Sequence, residues 1–138
     1  MTLDAECFER LAGFRYALRR FLATAEAISK SAGVTQPQYQ AMLAIKAWPA
    51  EVMTMKDLAD QLFLTHHAAV QLVNRLARAD LVERVPSRTD GRSVTLRLTA
   101  AGEALVQRLA VLHQQALLGQ GREIAKSLED IRRAASRP

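Results

Sequence analysis

From Cys7 to Ile28 the apolar residues Cys7, Leu11, Phe14, Leu18, Phe21, Ala25 and Ile28 recur in steps of four and three. That spacing puts them on one stripe of a long helix, expected to stop near Gly33. Thr35-Gln-Pro-Gln38 reads as a capping box, in which the Thr hydroxyl and the Gln side chain satisfy free amide donors at a helix start. The helix it opens runs over about 35–47 and ends at Trp48-Pro49, because proline disfavours helical geometry in the residue before it.

Thr54 is placed to cap a short helix reaching about Phe63, and Thr65 another reaching about Asp80, with Leu64 at the turn between them. This is helix-turn-helix spacing. Leu81 to Pro86 and Val94 to Leu98 are β-prone and flank Ser87-Arg-Thr-Asp-Gly-Arg-Ser93, where Asp90-Gly91 favours chain reversal through positive φ. Thr99 then caps a helix carrying Leu105, Leu109, Leu112 and Ala116, and Gly119 and Gly121 are expected to part it from a last helix carrying Ile124, Leu128 and Ile131. The pattern predicts one mainly α domain over 1–138: a winged helix-turn-helix module at 34–98, its wing a two-stranded β-hairpin, between dimerisation helices at 1–33 and 99–138. The long terminal stripes favour a homodimer, with Leu109 expected in the seam, over folding back on the chain's own core.

Composition narrows the class. The 138 residues are 49% hydrophobic, enough apolar side chain for a core, which argues against disorder. Nineteen Lys and Arg against fourteen Asp and Glu give a formal charge of +5, a balance that favours a polyanionic partner. The apolar runs fall short of the roughly 20 residues that cross a bilayer. Met1 to Arg10 carry Asp4, Glu6 and Glu9 with no basic segment leading into an apolar one, so neither a membrane span nor a secretory signal is expected and a cytoplasmic location is. The single cysteine, Cys7, agrees with a reducing compartment.

Projected at the helical angle, residues 65–80 place Thr65, Ala69, Leu72, Val73, Leu76 and Ala79 on one side. The other side holds His67, Gln71, Asn74 and Arg78, with His66, Val70 and Arg75 at its margins. Gln and Asn can pair with adenine in a major groove, and Arg with guanine edges or phosphate; a merely solvated helix face shows the same polarity. Residues 75–97 add Arg84, Arg88, Arg92 and Arg97 to Arg75 and Arg78, against Asp80, Glu83 and Asp90. Guanidiniums at a hairpin tip suit a narrow minor groove, and neighbouring ones suit phosphates, although a basic patch also serves solubility.

Asp90-Gly-Arg-Ser-Val-Thr-Leu-Arg-Leu-Thr99, with Gly102 following, resembles the Asp-x-Arg…Leu-Thr wing signature of the multiple-antibiotic-resistance-regulator (MarR) family. Leu58-Ala-Asp-Gln-Leu62, Leu72-Val-Asn-Arg-Leu76 and Leu81-Val-Glu-Arg84 are similar to that family's helix pair and the entrance to its wing. The resemblance implies a homodimer reading a pseudo-palindromic duplex DNA site, with Arg92 as minor-groove contact, Asp90 as its orienting partner and residues 66–78 as recognition helix. It further implies a transcriptional regulator, a repressor of a nearby operon, relieved by a small aromatic or anionic effector. Arg15, Tyr16, Arg19 and Tyr39 are the candidate effector contacts, two cations one turn apart and two phenols. Two departures stand out: Ala79-Asp80 replaces the usual glycine before the wing strand, and His66-His67 replaces a Ser- or Thr-rich helix start.

Two other readings compete, a winged helix that binds only protein and a thiol redox sensor acting through Cys7. The wing residues Arg88 and Arg92 argue against the first. Cys7 lies on the apolar stripe, one turn before Leu11, which aligns with the sensing position of the family's peroxide-responsive branch, and Gln36 stands where a sensing tyrosine is expected. A reactive thiol also needs an exposed, electropositive setting. Adjacent His66 and His67 point about 100° apart, so a metal site is not expected. No cofactor is expected either, and no base lies beside a nucleophile in a frame that would indicate an enzyme.

Overall fold

The computed structural model describes residues 1–50, 52–87 and 93–137. In chain order they form α1 (Ala5–Ser31), α2 (Gln36–Ala47), β1 (Met53–Thr54), α3 (Met55–Leu62), α4 (His66–Arg78), β2 (Val82–Pro86), β3 (Val94–Leu98) and α5 (Ala100–Ala135).

Short polar side chains set the helix starts. At α2 the Thr35 backbone N–H donates to Gln38 Oε1 at 2.8 Å and the Gln38 N–H donates to Thr35 Oγ1 at 3.2 Å, the reciprocal box read from the sequence. Thr54 and Asp57 build a second box at α3, at 2.9 and 3.1 Å. Thr65 Oγ1 accepts from the Ala68 N–H at 3.1 Å and opens α4. Trp48, before Pro49, ends α2 in an extended conformation (φ −60°, ψ 124°). Its indole nitrogen is shielded from solvent and meets no hydrogen-bond acceptor among the described residues.

The hairpin strands pair in antiparallel register, Val82 with Leu98, Arg84 with Leu96 and Pro86 with Val94. A third strand lies on the far side of β3, giving the order β1-β3-β2 and pairing Met53 with Leu96. The sequence pattern predicts two strands. β1 is two residues long, too short to show a period-two alternation; what fixes it is Met53, 1% exposed.

The residue in place of the usual glycine before the wing, Asp80, takes φ 58°, a left-handed conformation that aspartate tolerates better than most residues. The turn therefore survives: the Leu81 N–H donates to the Leu76 carbonyl at 2.9 Å and the chain enters β2. The start of α5 is seated on the same point. The Thr99 N–H donates to the Leu81 carbonyl at 3.1 Å, and a Cβ added to Gly102 would stand 2.0 Å from that oxygen.

The expected break at Gly119 and Gly121 is absent; Ala100 to Ala135 is one helix. Each glycine costs a helix interior about 1 kcal/mol, but breaking the helix between two strongly helical segments forfeits several backbone hydrogen bonds and adds unsatisfied ends.

The chain divides into two compact units, Ser29–Ala110 and Met1–Ile28 with the helix from Val111 onward. In the first, Met42, Leu58, Val73, Leu76, Leu96 and Leu109 are at most 3% exposed. Leu109 is thus a core residue of its own chain and not a seam residue, and the stripe on which it was read is split, for Leu112 is 41% exposed. In the second unit the Arg20 guanidinium meets the Glu123 carboxylate at 2.9 Å.

Candidate nucleic-acid interface

The helix-turn-helix is closed by local chemistry. Phe63 ends α3 in a left-handed conformation (φ 54°, ψ 41°), the Leu64 N–H donates to the Ala59 carbonyl at 2.9 Å, and Thr65 then caps α4. Ala69, Leu72, Val73 and Leu76 are buried and fix the rotation of α4 about its axis. The outward face follows from that rotation: His66, His67, Gln71, Arg75 and Arg78 are exposed, while Val70 and Asn74 are half-buried at its edges. Ala79, expected on the inner side, is exposed because it is the C-cap.

The wing's base is set by cross-strand pairs. The Arg97 guanidinium pairs with the Glu83 carboxylate at 2.7 Å, and Thr95 Oγ1 donates to the Val85 carbonyl at 2.8 Å. The Ser87 N–H donates to the Ser93 carbonyl at 3.0 Å. Arg88, Asp90 and Arg92 lie outside the described residues.

In the sequence Arg84 stands among the hairpin arginines but not among the candidate site residues. In the structure this exposed β2 residue reaches α4, where one guanidinium nitrogen donates to Asn74 Oδ1. A spacing of ten along the sequence and a change from helix to strand hide such a contact from any periodicity; only the strand register brings it to view.

The four candidate effector residues fall on two units. Arg15, Tyr16 and Arg19 are exposed on α1. Tyr39 is buried on α2, and burial pushes its hydroxyl above the usual phenol value. None of the four lines the apolar cavity of about 320 Å³ between the first turn of α1 and the last turn of α5, which Cys7, Leu11 and Ile131 line with Arg10 at its edge. That arginine is paired with Glu6 at 3.1 Å. Burial also lowers the His113 imidazole below its ordinary value. Among the described residues no three His, Cys, Asp or Glu side chains gather as metal ligands, and no helix is long and apolar enough to cross a membrane.

Two helices joined by a three-residue turn, the second presenting a polar face, followed by a stapled hairpin, define a winged helix-turn-helix. Solved structures share the fold across nearly the whole chain. AbsC of Streptomyces coelicolor, a MarR family transcriptional regulator, superposes with a TM-score of 0.79 at 19% identity, covering 99% of this chain and 93% of that one. A mutant of Staphylococcus aureus MepR bound to an oligodeoxyribonucleotide does so with a TM-score of 0.68 at 21% identity, covering 89% and 95%. By sequence, residues 32–93 match the model of the MarR family. The organic hydroperoxide resistance transcriptional regulator of Bacillus subtilis is 32% identical over 101 residues, 73% of this chain and 67% of that protein. The chain spans little more than half the length of two further relatives, 54% and 56%. It belongs to the MarR family, a family of transcriptional regulators and not of enzymes.

Proposed function

We propose that the chain acts as a homodimeric regulator that binds duplex DNA sequence-specifically and represses a nearby operon until a small aromatic or anionic effector lowers its affinity. The observation that carries the reading is the orientation of α4, whose inner face is locked by four buried apolar residues while His66, His67, Gln71, Arg75 and Arg78 face outward. A rigid helix with amide, imidazole and guanidinium groups on its free face suits a major groove. Arg92, with Asp90 as orienting partner, takes the minor-groove role, and Arg88 is a further DNA contact of the wing. The DNA-bound MepR mutant has the same fold and supports the reading. Pairing of two copies is supported by exposed apolar side chains on α1 and α5, Phe8, Leu117, Leu118 and Leu128 among them.

Fluorescence anisotropy on operator DNA tests this. Affinity is expected to fall steeply with salt, because arginine–phosphate contacts release counterions, and Arg92→Ala to weaken binding by about 1–3 kcal/mol with the fold intact. Salt-independent binding, or an unchanged affinity in the folded variant, sinks the assignment. For the effector, a tenfold loss of DNA affinity requires about 1.4 kcal/mol of coupling, and operator DNA must then weaken effector binding by the same factor.

The relative's role in hydroperoxide resistance raises the thiol reading for Cys7. Its half-buried place on an apolar cavity, beside an arginine already paired with Glu6, speaks against it.

A further inference from the structure

Between the outward face of α4 and the wing sheet runs an open groove of about 580 Å³, lined chiefly by Lys56 of α3, His66 and Val70 of α4, Arg84 of β2, and Ser93 and Val94. Its described lining contains groups that bear or accept positive charge from three elements and no carboxylate. Two of the cations differ in their partners. Lys56 is tied to Asp60 at 3.2 Å along its own helix, whereas Arg84 is held by the neutral side-chain oxygen of Asn74.

That neutrality matters. Arg97, on the neighbouring strand, is paired with Glu83, which cancels its charge. An amide oxygen aims a guanidinium without cancelling anything, and a guanidinium carries five N–H donors, so the others stay available. The same bond orients Asn74: bidentate reading of an adenine edge needs the amide oxygen and nitrogen presented together to the base, and here the oxygen is turned to Arg84 with one lone pair left.

Building on the DNA-binding reading, we propose that Arg84 is a phosphate contact and that Asn74, instead of reading a base, is its positioning residue, the groove between α4 and the wing sheet receiving a backbone phosphate of the duplex. A backbone phosphate presents two non-bridging oxygens sharing one negative charge, which a guanidinium fork matches, and the contact is independent of base sequence.

The test uses the full chain and a mixed-sequence duplex of about 30 base pairs, near three helical turns, titrated by anisotropy over a range of salt. Arg84→Gln, which keeps an amide donor for Asn74 but no charge, is expected to weaken binding about tenfold and to lower the salt slope by about one per bound chain. Arg84→Lys is expected to keep the slope. Asn74→Ala is expected to cause part of the same loss in the parent and none in the Arg84→Gln background, since residues acting as one unit are non-additive. An unchanged slope in Arg84→Gln, or losses that multiply in the double variant, overturns the proposal while leaving the regulator reading in place. Failure of the parent to bind any duplex sinks both, and so separates the two cases.

Discussion

Gly102 shows how a single missing methyl group can seat a helix. An added Cβ would meet backbone, the Leu81 carbonyl oxygen at 2.0 Å and its carbon at 3.0 Å, and neither can rotate away as a flexible side chain would. Gly102→Ala is therefore expected to cost about 3 kcal/mol or more, read as a lowered urea midpoint at constant slope; a loss under about 1 kcal/mol would mean that α5 and the start of β2 separate freely. In the sequence this glycine appeared only as a matching letter after Leu98-Thr99, and its physical reason is a close approach that no linear pattern shows. Asp80 is the opposite case. The departure from glycine is visible in the sequence, and the backbone keeps the left-handed geometry with a residue that tolerates it.

At the scale of elements, most of what the chain forms was legible, because each boundary rests on local chemistry. Thr35, Thr54 and Thr65 sit where their hydroxyls cap a helix, and Trp48-Pro49 stops α2. Two elements escaped, and for different reasons. β1 is too short for a period and is defined by its partner Leu96. The break at Gly119 and Gly121 was overread, since a glycine marks a helix end only when the chain needs positive φ there, and among the described glycines Gly33 alone adopts it. The continuity of α5 has a measurable outcome: nothing lies within 4 Å of a Cβ added at Gly119, so Gly119→Ala is expected to raise stability by about 0.5–1 kcal/mol. Thermal unfolding decides it, and a variant no more stable than the parent would place residue 119 outside a continuous helix.

For the whole molecule the question is which apolar residues serve the chain itself and which are left exposed for the proposed dimer. Amphipathic periodicity identifies a stripe but cannot divide it, and so Leu109 was read as a seam residue although it is 0% exposed, while Leu118 is 68% exposed. The two positions should fail differently. Leu118→Asp is expected to leave the helices intact and lower the molar mass seen by light scattering toward that of a monomer, because a carboxylate in an apolar seam is costly to desolvate; Leu109→Asp is expected to unfold the winged unit. A Leu118→Asp protein as dimeric as its parent at equal concentration would remove that residue from the proposed seam. The candidate site divides along similar lines: the outward face of α4 followed from the helical angle, whereas the Arg84–Asn74 contact depended on strand register. The end of α2 also gives the molecule a built-in optical reporter. Trp48 is the only tryptophan in the sequence, it belongs to the unit Ser29–Ala110, and its indole nitrogen is shut away from water without an acceptor among the described residues. Its emission is accordingly expected to redden when that unit opens, while far-ultraviolet ellipticity, dominated by α1 and α5, is expected to follow both units. Recording the two signals on one sample separates the melting of the winged unit from that of the terminal helices without any label.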